Sequence, residues 1–339
     1  MSYEVVGITV LWTFLFGYLI VASIDFGAGF FSYYSSITET RHVIHAIINR
    51  YLSPVWEVTN VFLVFFFVGF IGFFPDTAYY YGTALLIPGS IAIVLLAVRG
   101  AYYAFNHYGS RSRKIYTLMY GASGLLIPAA LSTVLTISEG GYIQVGEDGK
   151  VVFLAKELFT SSYSWAVVLL ALVSVLYISA MFLSFYAHKA GDIPAFQVVR
   201  KYALAWSLPT IISSLLVFFA IHNHNREHFN NMLDRSWMFA LSFVFFLIAV
   251  YFVWKKKRLG LSFICVILQF AFAFYGYGSA HLPYILYPYL TIHDNFTSPS
   301  MAIALIVAFI LGLLLLIPSL YLLMKLFLFN TPYIKGNTK

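Results

Sequence analysis

The sequence predicts an all-α integral membrane protein with nine transmembrane helices. The first reason is composition, since 61% of the 339 residues are hydrophobic and 10% are charged, a balance far outside that of soluble domains. The second is that the apolar runs reach the length of about 20 residues that a helix needs to cross a bilayer core. The third is that lysine and arginine are concentrated in alternate loops, as is typical of membrane proteins with a fixed orientation.

Apolar runs account for most of the chain, so we expect a single membrane domain, 1–339, and no soluble domain. Breaker residues interrupt the pattern in the intervening loops, for example at Pro54, Pro75 and Pro299. The first and third runs exceed the minimum length and are expected to tilt or to project beyond the membrane. The predicted spans lie near residues 5–33, 55–74, 80–107, 115–137, 163–188, 202–221, 236–254, 260–278 and 300–328.

Basic residues orient the predicted bundle. Of the 20 Lys and Arg residues, Arg99 lies inside a span, 15 fall in one set of alternating loops and four in the opposite set. Because positive residues favour the cytoplasmic side, we expect the N-terminus outside and the C-terminus in the cytoplasm, which requires an odd number of spans. The net charge of +7 does not indicate a nucleic-acid partner, since short loops hold it and no basic face remains. The larger set comprises loops 34–54, 108–114, 189–201 and 255–259 with the C-terminal end, and the smaller comprises Lys150, Lys156, Arg226 and Arg235.

The longest outer loop, 138–162, is predicted to form a small hairpin. Two short apolar stretches, Tyr142–Val145 and Val151–Leu154, flank the turn-rich stretch 146–150. We interpret this loop as a cap on the helical bundle rather than as a binding site.

Three ionisable residues, Asp25, Glu57 and Arg99, lie within predicted spans near their cytoplasmic ends. At a rise of about 1.5 Å per residue, all three should fall within roughly 10–15 Å of the cytoplasmic surface. Ionisable groups in a membrane are costly and therefore suggest a function by default. Carboxylates close to a buried arginine can take up and release protons, so we assign Asp25 and Glu57 to a proton pathway and Arg99 as their electrostatic partner. The alternative is a structural ion pair that holds the first three helices together, with Arg99 as an anchor.

Histidine positions argue against a cofactor on this chain, because haem in a membrane bundle is usually held by histidine, sometimes by methionine, at membrane depth. All 9 histidines lie in loops or at span ends, so we expect no haem ligand. Met181, in mid-span, is better explained by packing. His224 and His228 have the i, i+4 spacing of helical metal ligands, but a solvated polar loop is the preferred interpretation. Cys265 lies in an apolar run, so neither a metal site nor a disulfide is expected.

The glycines of the first span favour packing over chemistry. Gly27 and Gly29, with Gly121 and Gly124 further along the chain, are small residues of the kind that lets membrane helices approach closely. The sequence shows no phosphate-binding loop, no nucleophile–base triad and no nucleotide fingerprint. We therefore predict no catalytic residue on this chain.

Four stretches of the sequence, in order, resemble motifs of subunit II of the cytochrome bd-type quinol oxidases. Val21–Gly29 is similar to the family's DGFDxGxG, and Ser53–Asn60 is similar to its P-x-W-[DE]-G-N-[EQ]. Val98–Phe105 is similar to R-x-x-x-[FY]-[DE]-[FY]-R, and the segment 284–299 is similar to YPYxxPxxxTI followed by SSP. The resemblance extends over essentially the whole chain.

The resemblance implies a heterodimer with a haem-bearing subunit I, each subunit built as two four-helix bundles plus one additional helix. Such a complex oxidises quinol and reduces dioxygen to water in the respiratory chain of the bacterial cytoplasmic (inner) membrane, taking protons from the cytoplasm. Haem b and haem d are then expected in subunit I and none on this chain, while Asp25, Glu57 and Arg99 serve proton entry. The resemblance leaves open ubiquinol or menaquinol as substrate, a structural quinone or lipid, and a small single-helix accessory subunit.

The sequence departs from the family motifs at several positions. Ala22 stands in place of the first acid of DGFD, so that Asp25 alone remains. Trp56 is kept before Glu57, and Asn60 occupies the [EQ] position. A proton route here is therefore expected to be sparser than the family pattern. The other family residues are replaced by Val58, Thr59, Ala104 and Asn106.

The main alternative function is a small secondary transporter with an intramembrane site at Asp25 and Arg99. A transporter of this kind typically has Gly/Pro-interrupted helices at matching positions of two halves, and the sequence shows none. The charges also lie near one face of the membrane, away from the midplane. A dihaem cytochrome b anchor disagrees with the histidine positions. We therefore predict subunit II of a bd-type terminal oxidase.

Overall fold

The computed structural model describes residues 2–38, 41–108, 114–323 and 325, and it is almost entirely helical. Long apolar runs form helices because a chain in lipid must pair its backbone N–H and C=O groups within each segment. The helices in these ranges are α1 (Tyr3–Ile37), α2 (Arg41–Phe73), α3 (Asp76–Ala84), α4 (Leu86–Tyr108), α5 (Lys114–Ser138), α6 (Ala155–Thr160), α7 (Ser162–Ala190), α8 (Ile193–His224), α9 (Arg226–Asp234), α10 (Ser236–Trp254), α11 (Leu259–His281) and α12 (Pro299–Leu323).

Eight helices in the part of the chain that the structure describes are long and apolar enough to cross a membrane: α1, α4, α5, α7, α8, α10, α11 and α12. Helix α2 adds a shorter apolar stretch, Thr59–Phe73. The run predicted near 80–107 is divided, because α3 ends at Ala84 and the candidate span is Leu86–Tyr103. Pro88 lies in the first turn of α4, where a missing N–H removes no helical hydrogen bond, and so favours a new helix start.

Helix α1 lies centrally in the described bundle, packed against α2, α5, α7 and α12. Buried apolar side chains form two large clusters, and α1 contributes to both. One cluster joins α1 to α7, α8, α10 and α11, and the other joins it to α2, α5 and α12. Many apolar side chains on α10 and α12 remain exposed, as expected of surfaces that face lipid or another membrane subunit.

Two short hairpins follow α5 and α11. Strand β1 (Ile143–Val145) pairs antiparallel with β2 (Val151–Phe153), in the loop where the sequence predicts a hairpin. Strand β3 (Tyr284–Leu286) pairs antiparallel with β4 (Leu290–Thr291). The Tyr287 N–H donates to the Ser138 carbonyl at 2.9 Å, which brings the end of α5 beside the segment that follows α11. The turn after α5 uses Gly140 with φ +83°, a left-handed conformation that favours glycine.

Candidate functional site

Arg99 of α4 is completely buried, with a relative exposure of 0%, and nearly all its donors are used. Its Nε donates to Asp25 Oδ2 at 2.7 Å, and its Nη2 donates to the Asp25 carbonyl oxygen at 2.6 Å. Its Nη1 donates to the Tyr120 carbonyl at 3.0 Å and to Ser123 Oγ at 3.1 Å. One guanidinium therefore joins α1, α4 and α5 through both a side chain and the backbone. The planar fork of arginine suits this arrangement, which a single ammonium group would not satisfy.

The Asp25 carboxylate, 2% exposed, has partners for both oxygens. Oδ2 accepts from Arg99, while Oδ1 accepts a short hydrogen bond from the Tyr103 hydroxyl and one of 3.2 Å from the Tyr120 hydroxyl. The two tyrosine hydroxyl oxygens are 3.3 Å apart. The Arg99 guanidinium carbon also lies 4.2 Å from the centroid of the Tyr120 ring, a cation–π contact. Asp25, Arg99, Tyr103, Tyr120 and Ser123 form what we call the Asp25 cluster.

Close helix approach makes room for the Asp25 cluster. A Cβ on Gly29 would lie 2.8 Å from the Tyr120 carbonyl oxygen and 3.1 Å from both Arg99 terminal nitrogens. A Cβ on Gly27 would overlap Ser179 of α7, and one on Gly124 would overlap the Phe26 carbonyl. These glycines let the backbones of α1, α5 and α7 approach, as the sequence pattern suggests. The consequence is a closely packed, buried site in which the charges of Asp25 and Arg99 balance each other.

The predicted site residues are brought together only in part. Asp25 and Arg99 are in direct contact, whereas Glu57 and Trp56 lie on α2 with side chains outside the described part of the structure. Asn60, one turn further along α2, is half-buried. The prediction that Glu57 belongs with Asp25 is therefore not tested by the geometry.

Sequence reasoning missed Tyr103, Tyr120 and Ser123 as partners of the buried pair. Tyr103 follows Arg99 by four residues, so the two share one face of α4, and this spacing is readable from the sequence. Tyr120 and Ser123 are three apart on α5 and share a face in the same way. The sequence contains no signal that this face of α5 turns towards Asp25, because that depends on helix packing.

A second buried charged group, the Glu139 cluster, comprises Glu139 after α5, His228 in α9 and His281 at the end of α11. His228 Nδ1 lies 2.8 Å and His281 Nδ1 lies 3.4 Å from Glu139 Oε1. The segment expected to be a solvated loop instead contains α9, and His228 is 2% exposed. That expectation was wrong because Glu139 and the end of α11 cover the segment. Burial raises the pKa of Glu139, but His281 and His228 outweigh it and lower the pKa below its ordinary value.

Comparison with known proteins decides the family. A model of the cytochrome bd terminal oxidase subunit II family matches residues 3–327. The chain belongs to this family. It is 33% identical over 339 residues, 97% of each chain, to a Bacillus subtilis (strain 168) protein assigned as a cytochrome bd menaquinol oxidase subunit II. It is also similar to a chain in the structure of bd oxidase from Geobacillus thermodenitrificans, with 62% identity, a TM-score of 0.86, and coverage of 97% of this chain and 100% of that chain.

Family membership establishes the class of activity. The chain is a multi-pass bacterial inner-membrane subunit of a cytochrome bd quinol oxidase, an oxidoreductase complex of the respiratory chain. The transporter alternative is thereby set aside. The complex contains haem, as the family name implies.

Three histidines that the structure describes, His224, His228 and His281, do not fit haem. The His224 ring is stacked between Tyr142 and Tyr163, with ring centroids 5.2 and 5.0 Å away, and its Nε2 lies 3.1 Å from the Gly140 carbonyl oxygen, which occupies that nitrogen. The His228 and His281 rings are 5.0 Å apart and both face Glu139. Met181 is buried among apolar side chains. We therefore assign no haem ligand among these residues. The side chains of His42, His45 and His107 lie outside the described part of the structure.

Proposed function

We propose that this chain is the non-haem subunit II of a bd-type terminal oxidase, which supports a haem-bearing subunit I and contributes a cytoplasmic proton path. This chain has nine spans in two four-helix bundles plus one additional helix, with the N-terminus outside and the C-terminus in the cytoplasm. The excess of basic residues in alternate loops supports this orientation. Haem b and haem d belong to the partner subunit. Menaquinol is the first quinol to test, since it appears in the name of the Bacillus subtilis relative.

The observation that carries the proton path is the pair of tyrosine hydroxyls on Asp25. Hydroxyl groups both donate and accept hydrogen bonds, so Tyr103 and Tyr120 can pass a proton to or from the Asp25 carboxylate. Tyr103 is the less buried of the two tyrosines, so it is the member of this hydrogen-bond series that lies nearer the protein surface. Glu57, predicted near the cytoplasmic end of its span, is the entry residue, although its side chain lies outside the described part.

Arg99 supplies the electrostatic condition for proton movement. A carboxylate in an apolar interior is strongly disfavoured unless a positive group lies close to it. The 2.7 Å contact from Arg99 Nε provides that compensation, while Asp25 Oδ1 remains directed at the tyrosines. One oxygen of the carboxylate, Oδ2, therefore balances the charge of Arg99. The other, Oδ1, is available to exchange a proton with the tyrosines. The competing function is purely structural, and the bonds from Arg99 to two backbone carbonyls favour it.

Oxygen reduction by the purified complex in proteoliposomes separates the two functions. We expect Glu57→Gln, Asp25→Asn and Tyr103→Phe each to slow turnover on the order of tenfold, about 1.4 kcal/mol in the barrier, with haem content unchanged. Tyr177→Phe is the matched control, because this buried tyrosine contacts Gln269 instead of Asp25. If Glu57→Gln and Asp25→Asn both keep full turnover, the proton path is wrong and the Asp25 cluster is structural.

A further inference from the structure

The Glu139 cluster gathers three metal-ligating side chains from distant parts of the sequence. One ligand atom from each of Glu139, His228 and His281 lies within 4.8 Å of the other two. Glu139 follows α5, His228 is in the short helix α9, and His281 ends α11. The Glu139 and His228 side chains are 0% and 2% exposed, and that of His281 is 10% exposed, so the cluster lies just below the protein surface.

The hydrogen bonds of His228 determine which of its nitrogens is free to bind a cation. His228 Nε2 lies 3.1 Å from the Tyr277 carbonyl oxygen, which can only accept, so Nε2 carries the proton. In the neutral ring, Nδ1 then presents its lone pair to Glu139 Oε1, another acceptor, at 2.8 Å. Two acceptors at this distance repel each other unless a cation or a proton is shared between them. A carbonyl partner on the far nitrogen is also the usual outer contact of a metal-binding histidine.

Hydrogen bonds from neighbouring side chains also orient the carboxylate of Glu139. The Tyr277 hydroxyl donates a short hydrogen bond to Oε1, and Asn225 Nδ2 donates to Oε2 at 3.1 Å. Asn225 Oδ1 also accepts the His228 backbone N–H at 3.1 Å, as the N-cap of α9. Asn225 therefore positions both Glu139 and His228. Outer contacts of this kind fix the geometry of a metal site before the ion binds.

The buried charge of Glu139 also favours a cation at this position. Within the described ranges, Glu139 forms ion pairs only with histidines, and no Lys or Arg compensates its buried charge. His281 contributes Nδ1, the ring nitrogen next to Glu139 Oε1, as the third ligand atom. A divalent cation between the three ligand atoms would therefore balance the buried carboxylate.

We propose that Glu139, His228 and His281 form a binding site for a divalent transition-metal ion, with Zn²⁺ as the best fit. Two imidazole nitrogens and one carboxylate oxygen are a set that Zn²⁺ accepts, with a fourth position for water. Ligand atoms of a tetrahedral zinc site are about 3.4 Å apart, given metal–ligand distances of about 2.0–2.1 Å. The His281 Nδ1–Glu139 Oε1 separation of 3.4 Å matches this value, whereas His228 Nδ1, at 2.8 Å from Oε1, must move apart from it when the ion binds. The ion joins the ends of α5 and α11 to α9.

This site is independent of the proposed proton path. Tyr120 and Ser138 are 18 residues apart on α5, so about 27 Å of helix separates the Asp25 cluster from the Glu139 cluster. On the proposed orientation the site faces the outside of the cell. An experiment that disproves one proposal therefore does not disprove the other.

Zinc content of the purified oxidase complex tests the proposal. The complex is incubated with Zn²⁺, desalted, and measured by mass spectrometry for metal and by zinc K-edge X-ray absorption, which haem iron does not disturb. We expect one zinc per complex with two imidazole ligands, lost in His228→Gln and in His281→Gln. His222→Gln is the control. His222 lies in the last turn of α8, just before α9, and contacts Asn223 outside the cluster. A wild-type complex that retains no such zinc, with only a proton shared in the cluster, overturns the proposal.

A second variant, which keeps all three ligands, tests the proposal if the histidine variants fail to assemble. Tyr277→Phe retains all three ligands and removes only the hydroxyl that orients Glu139 Oε1. We expect zinc affinity to fall about 10–100-fold, with the imidazole signature in the absorption spectrum preserved. Zinc bound with unchanged affinity in Tyr277→Phe and equally in His281→Gln would show that the ion sits elsewhere.

Discussion

The Asp25 cluster and the Glu139 cluster lie near opposite ends of α5, and each buries a carboxylate that must be compensated. Asp25 is paired with Arg99, a cation that does not lose its proton in proteins. Glu139 is paired with His228 and His281, which are cationic only when protonated. Compensation is therefore permanent at the first site and conditional at the second. The comparison teaches that one helix can support a fixed charge pair near one end and, near the other, a carboxylate whose partners are charged only when protonated.

The largest effect is expected from breaking the fixed pair. Arg99→Leu leaves the Asp25 charge buried without compensation, which typically costs about 3–5 kcal/mol. The double variant Asp25→Leu/Arg99→Leu removes both charges and should recover much of that loss. Thermal unfolding of the purified complex, with recovery of haem-containing material, measures both. A single Arg99→Leu variant as stable as the double variant would contradict the view that Arg99 serves to balance Asp25.

A smaller loss is expected at the Glu139 cluster. Asn225→Ala removes the N-cap of α9, worth about 1 kcal/mol, and the hydrogen bond to the Glu139 carboxylate, worth about 1.5–3 kcal/mol. We expect a stability loss of about 2.5–4 kcal/mol that added Zn²⁺ partly reverses. Asn223→Ala, two residues earlier and exposed, is the matched control. Equal melting temperatures for the two variants would mean that Asn225 does not organise the cluster.

The smallest effect should come from trimming one contact of Arg99. Ser123→Ala removes an acceptor 3.1 Å from Nη1, but that nitrogen keeps the Tyr120 carbonyl at 3.0 Å. The expected cost is about 1 kcal/mol, the net value of one hydrogen bond. Denaturant or thermal unfolding of the complex detects it, with Ser242→Ala in α10 as a control for loss of a similar hydroxyl. A loss as large as that of Arg99→Leu would mean that Ser123 holds the guanidinium in place by itself.

Much of the fold was predictable because membrane spans depend on local composition. Apolar runs give helices wherever lipid surrounds the chain, so most helix positions follow from hydropathy alone. The division at Leu85 was not predicted, since the run continues through it without any charge and only Pro88 marks the new start. The hairpin after α5 was predictable from its turn residues, because turn chemistry is also local.

The two clusters differ in how much of each the sequence could reveal. A charge inside an apolar run is conspicuous, so Asp25 and Arg99 can be identified from the sequence alone. Glu139, His228 and His281 stand at the ends of helices, where charged and polar residues are common and carry no signal. Their convergence depends on the turn at Gly140 and on the bond from Tyr287 to Ser138, both tertiary features. Their linear spacing accordingly suggested no shared site.

The Asp25–Arg99 pair has a consequence for how the chain enters the membrane during synthesis. Asp25 precedes Arg99 by 74 residues, so at about 5–20 residues per second its partner emerges from the ribosome several seconds later. An acid at a helix centre disfavours insertion by about 2.5–3.5 kcal/mol on translocon scales, and Asp25, nearer the cytoplasmic end of its span, carries part of that cost. During that interval the 35 residues of α1 must retain the acid in the membrane through their own hydrophobicity. The apolar length of α1 thus matters for biogenesis before it matters for packing. The arrival of α4 neutralises the acid, and α5 then completes the three-helix unit.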